Sequence, residues 1–253
     1  MTRSLANSMI ACLAAAAIVP RVESLQTAQA ATAMANYSKD AIGLFNNMRT
    51  PAALLTGGLV PLGILMNSPI HDDDSRKTRV LKKAGVVLGV TSLLSEILAV
   101  VYSSIAINKL VELPSPDTAS VADLLSKHHS LPWLGTNVHF ILGMMGFVLL
   151  VGIRTYLAVG ASMGTLAAGL SAGCFLQTLA VVNRSIALGR SGGDHVDAAN
   201  LGQLLLHYGR SMFRFATRGK IGVCSVLSMV VTAAAVAGAI ASFYEEFRDG
   251  ASG

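Results

Sequence analysis

The chain has 253 residues, of which 53% are hydrophobic and only 13% charged, and its mean hydropathy is +0.58. Soluble domains carry about 25% charged residues, so a water-soluble globule fits poorly, and disorder needs the opposite balance of charge and hydrophobicity. The net charge of +5 does not point to nucleic acid, because the basic residues stand between apolar runs, where Lys and Arg meet anionic headgroups.

The amino terminus reads as a removable targeting segment. Arg3 supplies a positive start, and Met9 to Val19 forms a short apolar core that Pro20 ends. Small residues around Val22-Glu23-Ser24 and Ala28-Gln29-Ala30 offer cleavage sites. This is the grammar of a signal peptide. Residues 1–30 are therefore set apart from a single helical domain over 31–253.

Next comes a weak span, expected at about 45–66. Gly57-Gly58 and Pro61 interrupt its core. A charged loop follows, with His71-Asp72-Asp73-Asp74 ahead of Arg76 and Lys77. Adjacent aspartates converge poorly on a cation, and no further acid falls at the offsets of a calcium loop. They read instead as a solvated helix start, with the aspartates near the positive end of the dipole.

The strong spans are expected at 84–107, 133–153, 157–182 and 221–243. Each is long enough to cross the hydrocarbon layer. None shows the period-2 alternation of a barrel, so the backbone must satisfy itself as helix. The second and third are joined by a turn within Gly160 to Gly164, which makes an antiparallel hairpin. Gly160xxxGly164, Gly169xxxGly173 and the Ala234, Gly238, Ser242 series put small residues where backbones approach closely.

Two further segments lie between spans. Asp117 to Lys127 reads as a short helix capped by Asp117 or Thr118. Residues 200–218 are amphipathic, with Leu201, Leu204, Leu205, Tyr208, Met212 and Phe215 on one side and His207, Arg210, Arg214 and Arg218 on the other. That is the pattern of a helix lying among headgroups with its basic residues toward lipid. A partner groove is the alternative use of the apolar stripe.

The expected fold is thus an all-α polytopic bundle of four or five spans with one interfacial amphipathic helix. Orientation stays open, because basic residues divide almost evenly between the two sides. The compartment stays open too, whether organelle, plastid thylakoid included, endomembrane or plasma membrane.

Chemistry-bearing residues are few. Glu96 lies near the middle of its span, where an ionisable group is costly and should face the bundle interior with a partner. His139, Gln177 and Asn137 are the candidate partners. Glu96, His139 and Gln177 are also the candidate ligands of a pigment such as chlorophyll or of haem, although a bis-histidine haem lacks a second histidine at that depth. Cys12, Cys174 and Cys224 have no metal-ligand spacing. No nucleophile elbow, phosphate-binding loop, dinucleotide fingerprint or zinc-protease motif is present. The reading that follows is a non-enzymatic accessory, scaffold or assembly subunit of a larger membrane complex. Its partners would be lipid and another membrane protein or a second copy of itself. The competing readings are a small proton- or ion-coupled transporter or channel using Glu96, and a pigment or haem carrier using His139 and Glu96.

Overall fold

The computed structural model describes residues 35–65, 69–113, 115–191, 200–218 and 222–249. The targeting segment expected at 1–30 lies outside the described residues. The described residues form an all-α bundle. Its elements are α1 (Ser38–Val60), a π-helical turn (Pro61–Leu65), α2 (Arg76–Glu112), α3 (Val121–His128), α4 (Ser130–Val159), α5 (Ala161–Ser191), α6 (Leu201–Arg218) and α7 (Gly222–Asp249). Four of them, α2, α4, α5 and α7, are long and apolar enough to cross a membrane.

The weak span is a real helix, though not one of those four. Pro51 stays inside α1. Pro61 has no N–H for the helical ladder, and there the chain widens into the five-residue π turn. α1 runs antiparallel to α2. Gly63 meets Gly89 at one end, and Ala41 and Phe45 join Ala106 and Leu110 in one cluster at the other. α1 therefore lies beside most of the apolar stretch of α2.

α2 is the central column. Its buried residues are Lys82, Gly85, Gly89, Ser92, Glu96, Ala99, Ser103, Ala106 and Leu110. They alternate steps of three and four, which is the stripe a helix shows to close neighbours. Apart from the two end residues and Glu96, the stripe is glycine, alanine and serine, so neighbouring helices pack close. A Cβ on Gly89 would lie 2.7 Å from the Cα of Gly63, and one on Gly135 of α4 would lie 2.9 Å from the Tyr102 ring. Real Cβ contacts are not that short. These glycines are where the backbones of α1, α2 and α4 come together.

The hairpin turn is tighter than the sequence suggested. α4 continues to Val159, and Gly160 alone breaks the helix with φ 81°. That region suits glycine because it has no Cβ. Gly160 and Gly164 consequently do not share a helix face. Gly164 packs on Tyr156 across the turn instead.

One cap follows the expected helix start and one differs from expectation. α2 starts at Ser75, whose Oγ accepts from Thr78 N at 3.3 Å, and α3 starts at Ser120, whose Oγ accepts from Asp123 N at 3.1 Å. Asp117 and Thr118 do not cap α3. Thr118 is buried and exchanges backbone hydrogen bonds with Ala35 at 3.0 and 3.1 Å. Of the three aspartates, Asp74 closes the loop. It accepts from His71 N at 2.9 Å and from Lys82 Nζ at 2.6 Å.

α7 is fastened at its carboxyl end. Glu246 accepts from Arg79 Nε at 3.0 Å and from Lys83 Nζ at 2.8 Å, and Arg76 donates to the Phe247 carbonyl at 3.2 Å. Along its apolar length α7 is bare. Among the described residues none along its apolar length is fully buried, and α5 differs only in resting one half-buried side, with Phe175, Leu179 and Val182, against the cluster it shares with α4 and α6.

Candidate functional site

The only acidic residue in the 84–107 stretch of α2 is enclosed completely. Glu96 has no exposed surface, and neither carboxylate oxygen has a hydrogen-bond partner among the described residues. Its wall is Gly143 of α4. A Cβ placed there would come within 2.6 Å of Glu96 Cδ. One turn along, Ser92 fills the equivalent notch at Gly146, and its Oγ is also buried without a partner. The antiparallel register of α2 and α4 puts two polar side chains opposite two glycines. Burying an ionised carboxylate without a partner is costly, so this position makes a chemical demand on the bundle.

The expected partners do not meet Glu96. Asn137 turns back and donates from Nδ2 to the Trp133 carbonyl at 2.8 Å. Gln177 lies on the exposed side of α5. His139, one turn from Gly143 on α4, bonds through Nε2 to the Tyr208 hydroxyl of α6 at 2.8 Å. Its ring stacks on Tyr102 with centroids 5.8 Å apart. The Tyr102 and Tyr208 hydroxyls lie 3.2 Å apart, and Tyr102 also donates to Met212 Sδ at 3.4 Å. Burial, then the Tyr102 hydroxyl, raises the Tyr208 phenol above its usual range. Tyr208 therefore stays a neutral hydroxyl at ordinary pH.

Two polar centres thus stand side by side. One is the isolated Glu96 with Ser92. The other is a three-ring cluster, Tyr102, His139 and Tyr208, which ties α2, α4 and α6 together. Sequence reasoning found Glu96 and His139 but missed the two tyrosines. It also missed the glycines opposite Glu96 and Ser92. The three-four alternation of small residues along α2 was the available signal, and Gly143 with Gly146 repeat the step on α4.

The cluster bears on the pigment expectation. His139 Nε2 is taken by Tyr208, and Nδ1 is buried without a partner. A ring could bind at Nε2 only by displacing the Tyr208 hydroxyl. Among the described residues no group of three His, Cys, Asp or Glu side chains converges as a metal site requires. A shallow open groove of about 460 Å³ lies between α1 and α2, lined by Arg49, Thr50, Ala53, Leu54, Val100 and Ser104.

The basic residues of α6 divide as follows. Arg210 and Arg214 are exposed, and His207 is half-buried. Arg218 ends the helix, and its side chain lies outside the described residues.

Compared with protein-family models, curated proteins and solved structures, the chain matches none of them.

Proposed function

We propose that the chain is a non-enzymatic subunit that assembles with other membrane helices into a larger complex. One observation carries this reading. Among the described residues α5 packs on α4 and α6 along one side only and α7 has no buried residue in its apolar length, and on their outward faces Gly169, Gly173 and Gly238 meet no atom beyond their own helix backbone within 4 Å of where a Cβ would stand. The inner seams of the bundle use their glycines for close contact. Small residues on an outer helix suit the same contact with a helix from another chain. Lipid alone needs no such notch.

The test is gentle solubilisation from the native membrane, followed by size separation. The chain should migrate in a band far larger than 26.3 kDa plus its detergent. Migration as a small particle under several mild detergents rejects the assembly reading.

A second reading rests on Glu96. An enclosed acid within a span is what proton and ion carriers use. Purified protein in liposomes would then show pH-dependent flux that Glu96→Gln abolishes. Flux unchanged by that substitution removes Glu96 from the path. A pigment reading has less support, since Nε2 of His139 is engaged by Tyr208 and Nδ1 is buried; its check is the absorption spectrum of the size-separated band.

A further inference from the structure

We propose that the outward side of α6 is a binding surface for anionic phospholipid. This does not depend on the assembly reading, only on the bundle standing in a membrane.

The sequence assigns the apolar stripe of α6 to lipid. The structure gives most of that stripe to the protein, while Phe215 at its end stays exposed. Leu201 and Leu204 are buried against α4 and α5, and Leu201 N donates to Asn183 Oδ1 of α5 at 2.8 Å. Farther along, Tyr208 meets His139 of α4, and Met212 meets Tyr102 of α2. The partners pass from α5 to α4 to α2 within one helix. Asn183 is at the end of the α5 apolar run, Tyr102 is close to that of α2, and His139 is six residues inside that of α4. α6 therefore lies across the bundle toward one end, at headgroup level, with one side turned outward.

That outward side is mixed, and the mixture is ordered. At about 100° per residue, Leu206 and Phe213 fall on one flank. They are 62% and 57% exposed. Arg210 and Arg214 follow one turn apart, both exposed, toward the opposite flank. α6 contains no Asp or Glu, and neither arginine makes an ion pair among the described residues. The amino-terminal turns of α2 differ sharply, for there Arg79, Lys82 and Lys83 are all matched by carboxylates.

An apolar flank beside two unmatched guanidiniums fits one molecule with both parts. Acyl chains lie along Leu206 and Phe213, and the phosphate takes charge-assisted hydrogen bonds from Arg210 and Arg214. Free phosphate would use only the arginines. An acidic protein segment would leave the apolar flank in contact with nothing it prefers.

The experiment is electron paramagnetic resonance on the purified full chain in bilayers holding spin-labelled lipids. Phosphatidylglycerol should be immobilised at the protein surface several-fold more than phosphatidylcholine. The preference should shrink as sodium chloride rises. Arg210→Gln with Arg214→Gln should bring it close to parity, and Arg210→Lys with Arg214→Lys should keep most of it. Leu206→Ser with Phe213→Ser should reduce immobilisation of both lipids. All six changes face outward, so thermal unfolding should stay near that of the unaltered chain. Parity in the unaltered chain overturns the proposal and leaves the surface to an acidic protein. A preference that survives the double glutamine variant overturns it as well. So does a preference that inorganic phosphate removes when chloride of equal ionic strength does not, since that marks a free-phosphate site. If the glutamine pair fails to fold, the lysine pair and the salt titration decide by themselves.

Discussion

Glu96 and Gly143 are best understood as one fitted pair. The carboxyl fills the volume that a side chain at 143 would need. Gly143→Ala should therefore cost about 1–3 kcal/mol, the usual range for an overpacked interior. Glu96→Ala made in the same chain should recover part of that loss, because it vacates the space. Unfolding in detergent measures all three variants, and strictly additive effects would rule out the fitted pair. Gly89→Ala should be worse than Gly143→Ala. Its neighbour is the Gly63 backbone at 2.7 Å, which cannot swing aside as a side chain can. Glu96 was legible in the sequence as the sole acid of its span. Its surroundings were not. Depth within a run says that a residue should face inward, but not which residue of which helix it will face. That information is in the register of α2 against α4, and only the contact of Tyr102 with Gly135, Glu96 with Gly143 and Ser92 with Gly146 sets it.

At the scale of elements, the long apolar helices were legible because twenty apolar residues in a row leave the chain few alternatives. Their caps and turns were harder to read. Ser120 won over Asp117 and Thr118 at the start of α3, and each of these residues can fill such a position equally well by sequence. The direction of α6 was the largest surprise. A strongly amphipathic helix is drawn equally to lipid and to a groove in its own chain, and composition cannot choose between them. Two charged fastenings can be tested at this scale. The Lys82 hydrogen bond, then the His71 amide, hold the Asp74 carboxyl below the ordinary 3.8. A lowered carboxyl contributes stability above its unfolded value and loses it as pH falls through the lower folded value. Thermal stability of the unaltered chain should thus exceed that of Asp74→Asn at neutral pH, and the two should converge in strong acid. A gap that persists there would refute the ion-pair account. The second fastening is Glu246 under Arg79 and Lys83. Glu246→Gln should speed amide hydrogen exchange at the carboxyl end of α7 and leave α4 unchanged. Equal protection in both proteins would mean that packing, not charge, anchors α7.

The whole molecule divides into a tight interior and the outward faces of two helices, α5 and α7, and this division supplies the sharpest test of assembly. In the interior, a side chain added to a glycine must disturb its neighbours. On Gly152, for example, a Cβ would lie 2.7 Å from that of Ser171. On the outward faces of α5 and α7, a Cβ added at Gly173 or Gly238 meets no atom of another helix among the described residues. Gly173→Leu and Gly238→Leu should accordingly leave thermal unfolding of the isolated chain near its original midpoint. If another helix seats on either face, the matching substitution should release the chain from the large band after mild solubilisation. Gly152→Leu serves as the contrast, because it should lower the unfolding midpoint before any question of partners arises. Loss of the large band with an intact midpoint can only come from outside the chain. Retention of the band by both outer variants would show that partners do not seat at Gly173 or Gly238, and the assembly reading would lose the observation that carries it.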